Sequence, residues 1–114
     1  VLLLPLRKAV GHTASPSKMP AYMFSAKPVL ACVDRGSDVE MVIHASQCGW
    51  VCEPENESAL SEMMIRVTGI PREQLNEMGR NARKYALEHF TAARNLNVIT
   101  NCIKSLINAN KKNY

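Results

Sequence analysis

Apolar residues along this chain come in two textures, short unbroken runs and longer stretches at helical spacing. The first run, Val1-Leu2-Leu3-Leu4-Pro5-Leu6, is continuous, as expected of a strand buried on both faces. A polar loop follows from Arg7 to Ser15. Ser15 is placed to cap a helix with Pro16 at its first position. The spacing predicts that helix to about Ala26, with Pro28 ending it. Pro28 to Val33 is a second apolar run, rich in strand formers, closed by the turn Asp34-Arg35-Gly36. From about Ser37 to Ser46, Val39, Val42 and Ile43 fall on one side of a predicted helix, with Ser37 or Asp38 as its cap. Gly49-Trp50-Val51-Cys52 reads as a third short strand, closed by Glu53-Pro54.

Helices dominate the remainder. Asn56 caps one whose apolar face is Ala59, Leu60, Met63, Met64 and Val67, with both methionines assigned to the core and Gly69 at the C-cap. Pro71 starts another, with Leu75, Met78, Ala82, Tyr85 and Ala86 along one stripe and a bend expected at Gly79. Thr91 caps the last, whose Leu96, Ile99, Ile103, Leu106 and Ile107 form an amphipathic face. Strands separated by helices predict βαβ units and a parallel sheet. The expected fold class is α/β: a partial Rossmann-like parallel sheet of three strands with flanking helices and a C-terminal helical extension. Residues 1–68 would form the βαβ half and residues 69–114 the C-terminal helices of a single partial domain. Three strands are few for a free-standing α/β domain, and the chain opens on an apolar run without methionine. A piece cut from something longer is expected, with exposed apolar surface that favours self-association.

Composition narrows this little. The chain has 114 residues, 46% of them hydrophobic, enough for one modest core. Its net charge of +4 and pI near 9.0 suit an anionic substrate, an anionic membrane surface or nucleic acid. Several of the positive charges (Lys104, Lys111, Lys112) sit at the far end as a solvated tail. Aromatics are few and not interleaved with a basic stripe, so no nucleic-acid partner is expected. Cys48 and Cys52 are the close pair among four scattered cysteines and lack the second pair of a zinc site. Cys32 and Cys52 fall in apolar runs, as reduced, buried thiols would in a cytoplasmic protein. No segment reads as a transmembrane helix or a signal peptide.

The candidate chemistry lies in Gly11-His12-Thr13-Ala14-Ser15-Pro16-Ser17-Lys18. In open parallel sheets, ligands bind beyond the carboxyl ends of the strands. A loop leaving a strand there and entering a helix N-terminus offers unpaired N–H donors and partial positive charge to an anion. Ser17 and Lys18 fall in the first turn, Thr13 and Ser15 supply hydroxyls, and Gly11 permits close backbone approach. Arg7 and Lys8 add positive charge at the rim, and His12 could donate to a phosphate or a sugar hydroxyl. A diphosphate site and a merely capped, solvated helix start both fit these residues. The glycine spacing is neither that of a Walker loop nor of the dinucleotide fingerprint.

Pro16-Ser17-Lys18, Tyr22-Met23 and Lys27-Pro28-Val29-Leu30-Ala31 together resemble the donor-binding stretch of retaining, nucleotide-sugar-dependent glycosyltransferases of the GT-B fold, group 1 and family 4-like. The resemblance continues through Gly36-Ser37-Asp38, Cys48-Gly49-Trp50-Val51 and Pro54-Glu55-Asn56-Glu57-Ser58-Ala59-Leu60, and on to Met78-Gly79-Arg80-Asn81-Ala82-Arg83-Lys84-Tyr85 and His89-Phe90-Thr91. It implies the later part of a C-terminal donor domain, with the N-terminal acceptor domain outside the sequence. The implied activity is transfer of a sugar from a nucleotide-sugar to a polysaccharide or lipid-linked acceptor in bacterial polysaccharide assembly. The implied setting is cytoplasmic, peripheral to the inner membrane in the full-length protein. No metal or other cofactor is expected, and the isolated piece is expected to be inactive. The donor diphosphate would be held by Gly11, His12, Thr13, Ser15, Ser17 and Lys18, with Arg7 and Tyr22 as further candidates. No catalytic residue is assigned.

Two departures stand out against that family. Its paired glutamates, spaced E-x7-E, map to Thr13 and Ala21, neither of which can act as a carboxylate. The small-residue run before Lys27-Pro28 usually ends in glycine and here reads Phe24-Ser25-Ala26. The alternatives are a degenerate, non-catalytic nucleotide-binding or interaction module, and a fragment of a GT-B-fold nucleotide-sugar epimerase. His44 and His89 read as structural, Glu53, Glu55 and Glu57 as a solvated acidic loop, and Arg80, Arg83 and Lys84 as a charged helix face.

Overall fold

The computed structural model describes residues 1–10 and 16–111. Three strands, β1 (Leu2–Pro5), β2 (Val29–Cys32) and β3 (Gly49–Cys52), alternate with helices α1 (Lys18–Phe24) and α2 (Asp38–Ser46). Helices α3 (Glu57–Thr68), α4 (Arg72–His89) and α5 (Ala92–Lys111) follow. The sheet is parallel in the order β1-β2-β3, pairing Leu2 with Val29, and Val29 with Gly49. This is the three-stranded α/β sheet with a helical extension that the hydrophobic pattern predicts.

Side-chain alternation on β2 divides the core in two. Val29, Ala31 and Val33 join Leu4, Met19, Met23, Val39, Ile43, Cys48, Ala82 and Ala86 on one face, beneath α1, α2 and α4. Leu30 and Cys32 join Cys52 on the other, covered by Trp50, Ala59, Leu60 and Met63. All of β2 is buried, as a central strand should be. β1 corrects the expectation of burial on both faces, since Leu4 is buried but Leu3 keeps 39% exposure. It is an edge strand, and α3 packs over β3 rather than reaching it.

The helix boundaries follow local chemistry. Ser37 caps α2, its hydroxyl accepting from the Glu40 amide at 3.3 Å, while the Glu40 carboxylate accepts from the Gly36 amide. Asn56 caps α3 by accepting from the Ala59 amide at 2.9 Å. Thr91 accepts from the Arg94 amide at 3.4 Å at the start of α5. Three expectations need correction. α1 starts at Lys18, with Ser17 rather than Ser15 before it, and Ser17 makes no side-chain capping bond. Met64 is 51% exposed, outside the core, because α3 meets the sheet along a narrow stripe.

Third, α4 runs unbroken through Gly79. Gly79, Ala82 and Ala86 are its buried residues, a small-residue stripe that lets α4 approach α1 closely. The Arg83 guanidinium donates to the Phe24 carbonyl at 3.0 Å across that contact, and Arg80 pairs with Glu73 at 3.3 Å. α5 buries nothing: its Leu96, Ile99, Ile103, Leu106 and Ile107 stay 50–67% exposed. Among the described residues no helix is long and apolar enough to cross a membrane.

Candidate functional site

The strands deliver three loops to one edge of the sheet. The loops leaving β1, β2 and β3 meet there around an open cleft of about 700 Å³. Lys8 comes from the first loop, Asp34 and Arg35 from the second, Cys52 from the end of β3, Glu53 from the loop after it, and His44 from α2. The cleft lies at the carboxyl ends of parallel strands, where ligands of such sheets bind. Cations and carboxylates share its wall, so its field is mixed rather than uniformly positive.

Two carboxylates brace the first loop. Asp34 accepts from the Ala9 amide at 2.8 Å, and Glu55 accepts from the Lys8 amide at 3.3 Å. Ala9 adopts a left-handed conformation (φ 67°), which turns the chain toward these acceptors. Two backbone N–H groups of the loop at the cleft are therefore held by the protein's own carboxylates. Glu53 accepts from the Asn56 amide group at 3.2 Å, and Glu57 occupies the first turn of α3, where its charge suits the helix dipole. The three glutamates stay exposed, as expected of a solvated acidic loop, and Glu53 and Glu55 make specific bonds besides. His44 lies 3.7 Å from Glu40 along α2, and His89 stacks on Tyr85 with ring centroids 4.1 Å apart.

Four of the predicted diphosphate residues, Gly11, His12, Thr13 and Ser15, lie outside the described residues. Ser17 and Lys18 are exposed at the start of α1, and neither lines the cleft. Arg7 is exposed on the first loop, whereas Tyr22 is partly buried against the core. Ala21 stands exposed on α1, where the resembled family carries a glutamate. Asp34 and Glu55 escaped sequence reasoning as loop anchors. The signal available was the position of Asp34 in the turn just past β2.

The thiols carry the perturbed titrations. Burial, reinforced by the adjoining Cys52 thiol, pushes Cys32 from an ordinary 9.0 to about 12, and burial also pushes Cys48 up. Both folded thiols hold their protons more tightly than the unfolded chain would. Their contribution to stability is thus whole below about pH 9 and is lost as pH rises through the folded values, for Cys32 toward 12. A Cys32→Ala, Cys48→Ala double variant is expected to lose less Tm than wild type between about pH 8 and about pH 10.5. Equal losses in a thermal melt series would contradict this.

A parallel α/β unit with its cleft at the strand ends is the class that fold and site define. The chain is similar to a probable glycosyltransferase, WbjE, of Pseudomonas aeruginosa, with 23% identity over 111 residues. That likeness covers 97% of this chain and 27% of the relative, so the chain spans about a quarter of that protein's length. It supports relating this sequence to a piece of a glycosyltransferase. No protein-family model and no solved structure matches.

Proposed function

We propose that this chain is the donor-binding part of a GT-B-fold, retaining glycosyltransferase that uses a nucleotide-sugar. The observation that carries the reading is the likeness to a probable glycosyltransferase along 97% of the chain. The parallel sheet with a cleft beyond its carboxyl ends agrees with it. The loop from Gly11 through Ser15, with Ser17 and Lys18 after it, would hold the donor diphosphate, with Arg7 contributing charge from the rim. As the sugar–oxygen bond breaks, negative charge grows on the departing diphosphate. Fixed N–H groups and the Lys18 ammonium would stabilise that charge. The acceptor would be a polysaccharide or lipid intermediate held by a further domain, and the 114-residue piece alone would not transfer sugar. The cytoplasm, at the inner membrane for the whole protein, is the proposed setting.

Lys18 provides the test. A charge-assisted hydrogen bond contributes roughly 1.5–3 kcal/mol, so Lys18→Ala is expected to weaken nucleoside diphosphate binding about 10-fold or more in calorimetry. Its exposed side chain makes a folding defect an unconvincing explanation for that loss. Equal affinity in the variant would remove Lys18 from the site. A second reading, a degenerate nucleotide-binding module, is favoured by the absence of both glutamates at Thr13 and Ala21.

A further inference from the structure

Cys32 and Cys52 are the last residues of β2 and β3 and stand directly opposite each other in the parallel register. Twenty residues separate them in sequence, yet the Cys52 thiol donates to the Cys32 sulfur at 3.3 Å. Both are free and buried, but Cys52 also forms part of the cleft wall. The other two thiols are placed differently. Cys48 lies in the core on the opposite face of the sheet, and Cys102 is exposed on α5.

We propose that Cys32 and Cys52 are a redox modification site, which a peroxide entering the cleft closes into a disulfide joining β2 to β3. Cys52 meets the oxidant first, because it borders the cleft and Cys32 does not. Its sulfur attacks one peroxide oxygen, the O–O bond breaks, and a sulfenic acid and one water form. The Cys32 sulfur then displaces the sulfenic hydroxyl, which leaves with the Cys32 proton as a second water. Two thiols have lost two electrons, and the peroxide has taken both.

The geometry also makes the bond reversible. Paired strands lie about 4.7–4.9 Å apart, inside the 4.4–6.8 Å window for bridged Cα atoms. Opposed Cβ atoms in a parallel pair are nevertheless wider than the roughly 3.8 Å that a relaxed disulfide prefers. The strands must draw together, and β3, an edge strand, can move. Strained disulfides are the easily reduced ones, so a cellular dithiol reopens this one.

The test uses hydrogen peroxide on the protein carrying Cys102→Ser, followed by alkylation and peptide mass spectrometry. Expected is loss of two free thiols, a linkage between residues 32 and 52 lighter by two hydrogens, and full recovery with dithiothreitol. In Cys32→Ala the Cys52 sulfenic acid has no partner, so dimedone should trap several-fold more of it than in the parent protein. Free thiols at both positions after peroxide, or sulfinic acid on Cys52 without a cross-link, would overturn the proposal. A linkage through Cys48 would overturn it as well.

Discussion

Gly49→Ala is expected to cost the fold more than any conservative change elsewhere in the chain. A Cβ at this position would drive into the carbonyl of Val29, with the Val29 carbon and nitrogen close behind. All three are backbone atoms of the central strand, so no side chain can turn aside to make room. Relief requires opening the β2–β3 pair at its first residue, where the Val29 amide bonds to the Cys48 carbonyl at 3.0 Å. Overpacking of a well-filled interior costs about 1–3 kcal/mol, and an unyielding backbone puts this case at about 3 or more. With about 4–8 °C of Tm per kcal/mol in a domain near this size, the expected fall is at least about 12 °C. Thermal unfolding followed by circular dichroism measures it. A variant melting within a few degrees of wild type would mean that the strands are not so closely seated.

Gly79→Ala is the second large effect, and its sign is diagnostic. In an exposed helix interior, replacing glycine by alanine stabilises by up to about 1 kcal/mol. Here the added Cβ would run into the Ala26 carbonyl, just past the end of α1. Ala26 itself is left-handed (φ 56°), which fixes where that carbonyl points. The expected result is a loss of about 2–3 kcal/mol by urea unfolding, against the helix-propensity gain. Any stabilisation would show that α4 does not rest on the end of α1.

These two glycines show where sequence reasoning reached its limit. Gly49 was legible as the start of a strand, but nothing near it in sequence shows the carbonyl of Val29 beside it. Gly79 suggested a bend because an isolated glycine weakens a helix locally. Its reason is a contact with a residue 53 positions earlier, so a local signal could not reveal it. The bracing of the first loop has the same character: Glu55 reaches the Lys8 amide across 47 residues. The Cys32–Cys52 pair comes from strand register, which places equal positions of β2 and β3 together.

For this protein, the sequence by itself determined the order of strands and helices, the cap at Asn56, a cap at Ser37 or Asp38, and the amphipathic character of α5. Those properties depend on periodicity and on bonds between near neighbours, both written along the chain. Tertiary structure alone decided that β1 is an edge strand, that α5 leaves its apolar face open, and that carboxylates hold two loop amides at the cleft. Each depends on which distant segment occupies the neighbouring space. The hydrophobic effect is non-directional: it says that a face is to be covered, not which segment covers it.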